Sequence, residues 1–423
     1  MALTSFRATR TGSFLKFDVP SCGRSRPLLS QFPPWLCYDL RPSSPIRYRS
    51  RRTIQSNPSI RIAVRFYVTE KLHQSPSDQQ ASYHRLRPII DTFEAPIDWA
   101  VAYGSGVMKQ AKAKPGDPPS LTDLLISTPS AIDFHTINLR QNPSHYPLHA
   151  RLMGAGRIAH VQENWGAGVW YVTDVKLNGT AVKYGIISTS SLITDLVEWE
   201  TFYLSGRLQK PTLSLQSPSS SSTLTSALET NHKSALSMAL LLCPESFEED
   251  YLWEKIAGLS YSGDPRMSVP GAENPEKVRN IVRGEGAREG FRHMYGPFLL
   301  QKGVTFDQGK ELIWKENGET SLNQPISAEH QAELFSSLPL SLRKAISTHF
   351  PSIEATALTG KDVWIKDVGD PRFRSIISTE LRNIIHRPAL RQSVKGLFTA
   401  GFTKSFWYAL AKVRKWFKGR GGK

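Results

Sequence analysis

The segment Ala95–Gln110, APIDWAVAYGSGVMKQ, constrains this chain more than any other stretch. Ile97 to Ala102 is a short apolar run of β-compatible residues, the length of a buried strand. It stops at Tyr103-Gly104-Ser105-Gly106, where glycine lets the backbone turn sharply and approach a ligand with no Cβ in the way. A strand that ends in Gly-Ser aims backbone N–H groups outward, one way to hold a phosphate. Leu121–Ile126 is a second strand-like run and carries a single carboxylate, Asp123. The pair predicts that Gly104-Ser105 holds nucleotide phosphates and that Asp123 holds the metal neutralising them. A tight turn with a solvated aspartate is the competing explanation of the same residues.

The remaining candidates are basic. Lys183-Tyr184-Gly185 sits on a predicted strand, and a lysine at a site edge can pair with a triphosphate. Gly206-Arg207-Leu208-Gln209-Lys210 follows a predicted helix, where Arg207 and Lys210 are placed to clamp phosphates. The chain of 423 residues carries a net charge of +16 and a pI near 9.7, which calls for an anionic partner: nucleotide, nucleic acid or anionic membrane. The hydrophobic share of 39% is enough for a substantial core. Cys22, Cys37 and Cys243 lack metal-ligand spacing and predict neither a zinc site nor a disulfide framework. No apolar run has the length of a transmembrane helix.

Residues 1–66 are rich in Arg and Ser, with Asp18 and Asp39 as their only acids, the composition of a mitochondrial transit peptide; a basic arm for nucleic acid is the alternative. Residues 67–82 are expected to be a linker, 83–245 a first folded domain, 246–390 a mostly helical domain, and 391–423 a C-terminal amphipathic helix. Asn178-Gly179 predicts a two-residue hairpin pairing Val169–Val172 with Ala181–Ile187. Leu192–Leu204 reads as one helix ending before Pro211, and the Ser-rich 214–226 as a surface loop. Leu252–Leu259, Val278–Arg292 and His330–Thr348 read as helices. Phe406, Leu410, Val413 and Phe417 form one helical stripe flanked by Trp407 and Trp416, with Lys404, Lys412, Lys415 and Lys418 on the other side, a pattern suited to an anionic membrane surface. His135, Asn138 and Asn142 share a helix face near His145-Tyr146. No Cys or carboxylate completes a zinc site there, so a polar face lining a ligand cleft is expected.

These residues leave open a nucleotidyltransferase at a membrane, a basic mitochondrial nucleic-acid-binding protein, and an import or assembly factor without catalysis. Taken in order, however, the blocks resemble the mitochondrial phosphatidate cytidylyltransferases, also called translocator assembly and maintenance proteins. The blocks are APIDWAVAYGSG (95–106), the Asp123 strand, His135–Tyr146, Lys183–Gly185, Trp199–Lys210, Tyr261–Arg266, Glu273–Val282 and Lys395–Ser405. The resemblance implies an α+β chain: a nucleotidyltransferase domain of the polymerase-beta type, a smaller winged-helix-like domain and the C-terminal amphipathic helix. It implies Mg²⁺-dependent conversion of CTP and phosphatidic acid to CDP-diacylglycerol and pyrophosphate. It also implies supply of cardiolipin synthesis at the matrix face of the inner membrane, as a peripheral protein on anionic lipids with no nucleic acid partner. By resemblance, Tyr103, Gly104, Ser105, Gly106, Lys183, Arg207 and Lys210 bind nucleotide phosphates, Ser105, Asp123 and Lys183 are catalytic, and Asp123 binds the metal. The superfamily's second acid falls at Leu125, with Asp174 and Asp195 as possible substitutes. Tyr261–Arg266 and Glu273–Val282 either bind substrate or brace the domains, with Asp264 or Arg266 as the substrate-binding candidate.

Overall fold

The computed structural model describes residues 77–108, 121–218, 222–268, 276–306, 314–315, 318–350 and 361–400. The N-terminal segment 1–66 and the stripe Phe406, Trp407, Leu410, Val413, Trp416 and Phe417 lie outside them. The order begins with α1 (Ser77–Ile90), β1 (Trp99–Tyr103), β2 (Thr122–Thr128), α2 (Ala131–Gln141), α3 (Leu148–Asn164), β3 (Trp170–Leu177) and β4 (Thr180–Ser188). Next come α4 (Thr189–Glu198), α5 (Ser205–Leu208), β5 (Leu213–Gln216) and α6 (Thr223–Leu242). Residues 77–82, expected as the end of a linker, are thus the start of a helix.

β1–β5 form one mixed sheet in the order β3-β4-β2-β1-β5. The hairpin at Asn178-Gly179 forms as its sequence predicts. Both residues have positive φ, 47° and 76°, and Leu177 faces Thr180 across a two-residue turn. β2 and β4 run parallel, because the chain crosses over through α2 and α3 and returns through β3 before β4. Side chains alternate between the sheet's two faces. Ala100, Ala102, Leu124, Ile126, Tyr184 and Ile186 pack under α1–α3, against Leu86, Ile89, Phe134 and Ile158. Trp99, Val101, Leu125 and Ile187 pack under Leu192 and Leu196 of α4 and the following Leu204 and Leu208. Both faces are covered, which explains why these strands read as near-continuous apolar runs.

The second half contains β6 (Ser246–Glu248), α7 (Glu249–Leu259), α8 (Pro265–Ser268), α9 (Lys277–Val282), α10 (Ala287–Leu299), β7 (Thr305–Phe306) and β8 (Ser321–Asn323). It ends with α11 (Ala328–Ser336), α12 (Leu340–Ser347), α13 (Lys361–Trp364) and α14 (Phe373–Ala400). β6, β8 and β7 make a small antiparallel sheet beside the helices. Their core includes Trp253 stacked on Phe291, centroids 5.6 Å apart, with Trp364 and Phe373 around Phe335. Glu249, fully buried, accepts a bidentate pair from Arg292 at 2.6 and 2.8 Å and a bond from the Trp253 indole at 2.9 Å. A buried carboxylate needs such partners to offset its desolvation. The described chain is α+β, and none of its helices is long and apolar enough to cross a membrane.

Several predicted helices end earlier than periodicity suggests. The stretch read as Leu192–Leu204 stops at Glu198, where Trp199 turns left-handed at φ 50° and buries its ring. Val278–Arg292 is two helices, separated at Gly284-Glu-Gly286, with Gly286 at φ 69°. His330–Thr348 is also two, parted at Leu338-Pro339. The Ser-rich 214–226 is loop only in part, since β5 extends to Gln216 and Ser222 caps α6. Residues 391–400 are not the start of a separate helix but the end of α14, which begins at Phe373.

Candidate active site

The site is built on one rung of the sheet. Tyr103 of β1 pairs with Asp123 of β2, and Asp123 pairs in parallel register with Lys183 of β4. The three side chains stand in a row on the face covered by α4, at the end where the apolar layer of Val101 and Leu125 stops. Lys183 Nζ lies 3.2 Å from Asp123 Oδ1 and 4.3 Å from the centre of the Tyr171 ring. Tyr171 in turn has its hydroxyl 3.3 Å from that of Tyr103. Gly185 makes room for that ring, because a Cβ there would sit 2.7 Å from Tyr171 Cε1. Burial, then the neighbouring Asp123, raises the Tyr103 pKa and keeps the hydroxyl neutral. Burial pulls the Lys183 pKa down, but Tyr103, Asp123 and Tyr203 outweigh it, so the ammonium stays charged.

Gly104 follows directly, at φ 79°, a conformation that favours glycine. Its carbonyl accepts from the Met108 and Val107 amides at 2.9 and 3.2 Å, closing a turn over Ser105 and Gly106. A Cβ on Gly104 would lie 3.5 Å from Asp123 Oδ2, so the turn sits against the carboxylate. Gly106 has a different reason to be glycine: a Cβ there would be 2.8 Å from the Thr122 backbone. It packs against the start of β2 and is not part of the cleft wall.

Near the rung, close enough to interact with Tyr103 and Tyr171, Arg207 lies over the Tyr203 ring at 3.7 Å and donates to the Tyr203 carbonyl. Lys210 Nζ donates to the Gly206 carbonyl and, at 2.8 Å, to Ser260 Oγ. Burial, with Arg207 and Lys277 nearby, pushes the Lys210 pKa down to about 7. Tyr103, Gly104, Ser105, Asp123, Lys183, Arg207 and Lys210 all line one cleft of about 290 Å³. Its other wall comes from the helical half: Tyr261, Asp264, Lys277 and Ile281, with Ile385, Ala389 and Ser393 of α14. The cleft therefore opens between a polar sheet edge and a mixed basic and apolar helical wall.

The family described as mitochondrial phosphatidate cytidylyltransferase matches residues 86–415. The chain belongs to that family. It is 36% identical over 340 residues to the mitochondrial phosphatidate cytidylyltransferase of Bos taurus, covering 80% of this chain and 96% of that protein. Its identity to the Rattus norvegicus protein of the same name is 36% over 335 residues, 79% and 95% of the two chains. The Schizosaccharomyces pombe counterpart is 35% identical over 336 residues, 78% and 83% of the two chains.

In this cytidylyltransferase family member, the position two residues after Asp123 is a core position. Leu125 is on the same face of β2, one step inward, and 1% exposed. The two substitutes for a second acid do not reach the cleft. Asp174 sits exposed in a bulge of β3 with φ 57°. Asp195 is buried, and its carboxylate accepts from Thr201 N, Thr201 Oγ1, Leu204 N and Ser205 N at 2.7 to 3.1 Å. It shapes the turn that presents Tyr203 and Arg207. The carboxylate that does share the cleft with Asp123 is Asp264. No cluster of three or more potential metal-binding side chains occurs among the described residues.

The His135 face is not a cleft lining. It is a buried network under the opposite face of the sheet. His135 Nδ1 meets the Tyr146 hydroxyl and Nε2 meets Gln162 Oε1, each at 2.8 Å. Asn138 Nδ2 donates to the hydroxyls of Tyr146 and Tyr184 at 3.0 Å, and His145 Nδ1 lies 2.8 Å from Tyr184. Burial pushes the His135 pKa down to about 4, so the ring is neutral. Helical spacing shows that polar residues share a face; it does not show whether that face meets water or core. Tyr203, Ser260, Tyr261 and Lys277 were not singled out by the sequence. Three of these, Tyr203, Tyr261 and Lys277, fall inside blocks that match the family in sequence, which is the one signal for them.

Proposed function

We infer that this chain is a phosphatidate cytidylyltransferase, converting CTP and phosphatidic acid to CDP-diacylglycerol and pyrophosphate. The observation that carries the reading is the Tyr103–Asp123–Lys183 rung beside the Gly104-Ser105 turn, in one cleft with Arg207 and Lys210. A phosphate oxygen of phosphatidic acid attacks the α-phosphorus of CTP in line. A new P–O bond forms, the bond from the α-phosphorus to its bridging oxygen breaks, and pyrophosphate leaves with those electrons. Such transfers depend on positioning and charge neutralisation more than on covalent help. The Gly104-Ser105 turn orients triphosphate oxygens, Lys183 neutralises them, and Arg207 and Lys210 offset phosphate charge in the same cleft.

Mg²⁺ is commonly held by one or two carboxylates together with substrate phosphates and water. Asp123, with one oxygen toward Lys183 and the other against the Gly104 turn, suits a metal delivered by the nucleotide. Bound there, Mg²⁺ supplies electrophilic stabilisation to the triphosphate. The strand-to-Gly-Ser turn beside a strand carboxylate supports a polymerase-beta-type nucleotidyltransferase sheet. The small β6-β8-β7 sheet among helices supports a winged-helix-like second lobe. The Arg-rich N-terminus supports import into mitochondria, and the basic amphipathic 401–423 segment supports peripheral attachment to anionic lipid on the matrix side of the inner membrane. Product made there would feed cardiolipin synthesis.

The test is pyrophosphate release by the purified chain from CTP, phosphatidic acid and Mg²⁺. ATP and GTP serve as base controls, and added DNA or RNA as competitors. No release with CTP, or equal release with every nucleotide, counts against the assignment.

A further inference from the structure

The cleft has two basic poles, and the reaction above has two phosphate-bearing substrates. One pole is Lys183 on the sheet, matched to Asp123 at 3.2 Å. The other gathers around Tyr261, from the turn after α7. Lys210 Nζ is 5.4 Å from the centre of that ring and Lys277 Nζ is 5.7 Å from the same centre. The two ammonium groups come from separate elements, the turn after α5 and the first residue of α9. Burial, Arg207 and Lys277 all work against a charge on Lys210. Asp264 lines the same wall, and an anion bound between Lys210 and Lys277 lowers the repulsion between the two ammonium groups. Compact ammonium charges suit a phosphate monoester, which presents a dianion without a fixed planar edge.

We propose that Lys210 and Lys277, on the Tyr261 ring they share, form the receptor for the phosphate monoester of the lipid substrate, apart from the Asp123–Lys183 pole that takes the triphosphate. This rests on the cytidylyltransferase reading. Two features assign the pole to the lipid. In-line transfer needs the acceptor phosphate opposite the leaving pyrophosphate, and this pole is carried by elements other than the strands that carry Asp123 and Lys183. Ile281, one helical turn beyond Lys277, and Ile385 and Ala389 of α14 line the same wall, giving apolar surface to the glycerol and acyl portions.

The test compares full-length wild type, Lys277→Ala and Lys277→Arg. Lys277 is half-buried at the start of a short helix, so both variants are expected to fold. Lys277→Ala should raise KM for phosphatidic acid in mixed micelles about tenfold and leave KM for CTP within about twofold; Lys277→Arg should recover most of the loss. A second arm uses calorimetry without CTP, with dihexanoyl phosphatidic acid as the probe and dihexanoyl phosphatidylcholine, which lacks a monoester, as the control. Wild type should bind the first and not the second, and Lys277→Ala should bind the first about tenfold more weakly. A rise in KM for CTP alone, or no change in either constant, overturns the proposal while the reaction stands. If wild type makes no CDP-diacylglycerol, the reaction reading fails by itself, and the calorimetric arm still decides whether this pole binds a phosphate monoester.

Discussion

Replacing Asp195 with alanine separates two roles that a sequence cannot tell apart. Asp195 is 5% exposed, and both its oxygens are engaged: Oδ1 by the Thr201 amide and hydroxyl at 2.8 and 2.7 Å, Oδ2 by the Leu204 and Ser205 amides at 3.1 and 2.9 Å. Removing the carboxylate orphans three backbone N–H groups. Each buried orphan costs about 1–3 kcal/mol, and water entering the gap recovers part of the sum. A net loss of about 3–4 kcal/mol is expected, which is severe for one substitution. At roughly 2.1 cal/mol/K of unfolding entropy per residue over about 300 folded residues, melting should fall by about 5–6 °C. The turn it holds carries Tyr203 and Arg207, so kcat/KM measured well below the new melting temperature should fall too. The Mg²⁺ concentration for half-maximal activity should stay near the wild-type value. Asp195→Asn keeps one acceptor and should be intermediate in melting. An Asp195→Ala protein that melts like wild type and needs far more Mg²⁺ would refute this account and return Asp195 to the metal.

Asp123→Ala should lower turnover by a factor on the order of 10³ with melting nearly unchanged, because the side chain is partly exposed and its removal only frees Lys183; near-normal turnover at saturating Mg²⁺ would contradict the metal assignment. Stability should fall as pH drops from about 6.5 toward 4. In that window the unfolded chain binds a proton at His135 that the folded chain, with its pKa near 4, does not, for a loss of up to about 3 kcal/mol. Urea midpoints at pH 7 and pH 5 measure it, and His135→Gln should flatten this part of the slope. Deleting residues 401–423 should reduce co-sedimentation with cardiolipin-rich liposomes, each lost lysine near the surface contributing about 1 kcal/mol; full retention would put the anchor elsewhere.

What could be read in advance was local. Asn178-Gly179 encodes its own turn, and the strand–Gly–Ser boundary at Tyr103-Gly104 follows from one apolar run and one conformational need. Asp123 and Lys183 were each recognisable as candidates, but their adjacency depends on the parallel register of β2 and β4, joined through α2, α3 and β3. No local pattern records that register. Asp195 and Leu192 share one helical stretch in sequence, and nothing there shows that the helix must stop so the carboxylate can fold back onto Thr201–Ser205. The polar face at His135 was legible as a face and illegible as buried, because its partners Gln162 and Tyr184 come from other elements.

The arrangement of the two walls depends on α14. Phe373, Ile377, Leu381 and Ile385 belong to the helical core, Ile385, Ala389 and Ser393 line the cleft, and the far end docks on the sheet side. There Gln392 accepts the Ala167 amide at 3.0 Å, and the fully buried Lys395 donates to the Gln162 carbonyl at 2.9 Å and to that of Trp165. Those carbonyls end α3, where a helix carries partial negative charge, so a cation is held without a carboxylate partner. Burial nonetheless pushes the Lys395 pKa down to about 7, because the contact excludes water. Gly166 belongs to the same clamp, since a Cβ on it would strike Gln392 Oε1 at 2.7 Å. A helix fixed at one end in the helical core and at the other by a desolvated lysine sets the separation of the sheet rung from the Tyr261 wall. If the triphosphate takes the rung and the acceptor phosphate the Tyr261 wall, as proposed above, that separation must match the span between them, and the Lys395 clamp would belong to the geometry of the site although it touches neither substrate.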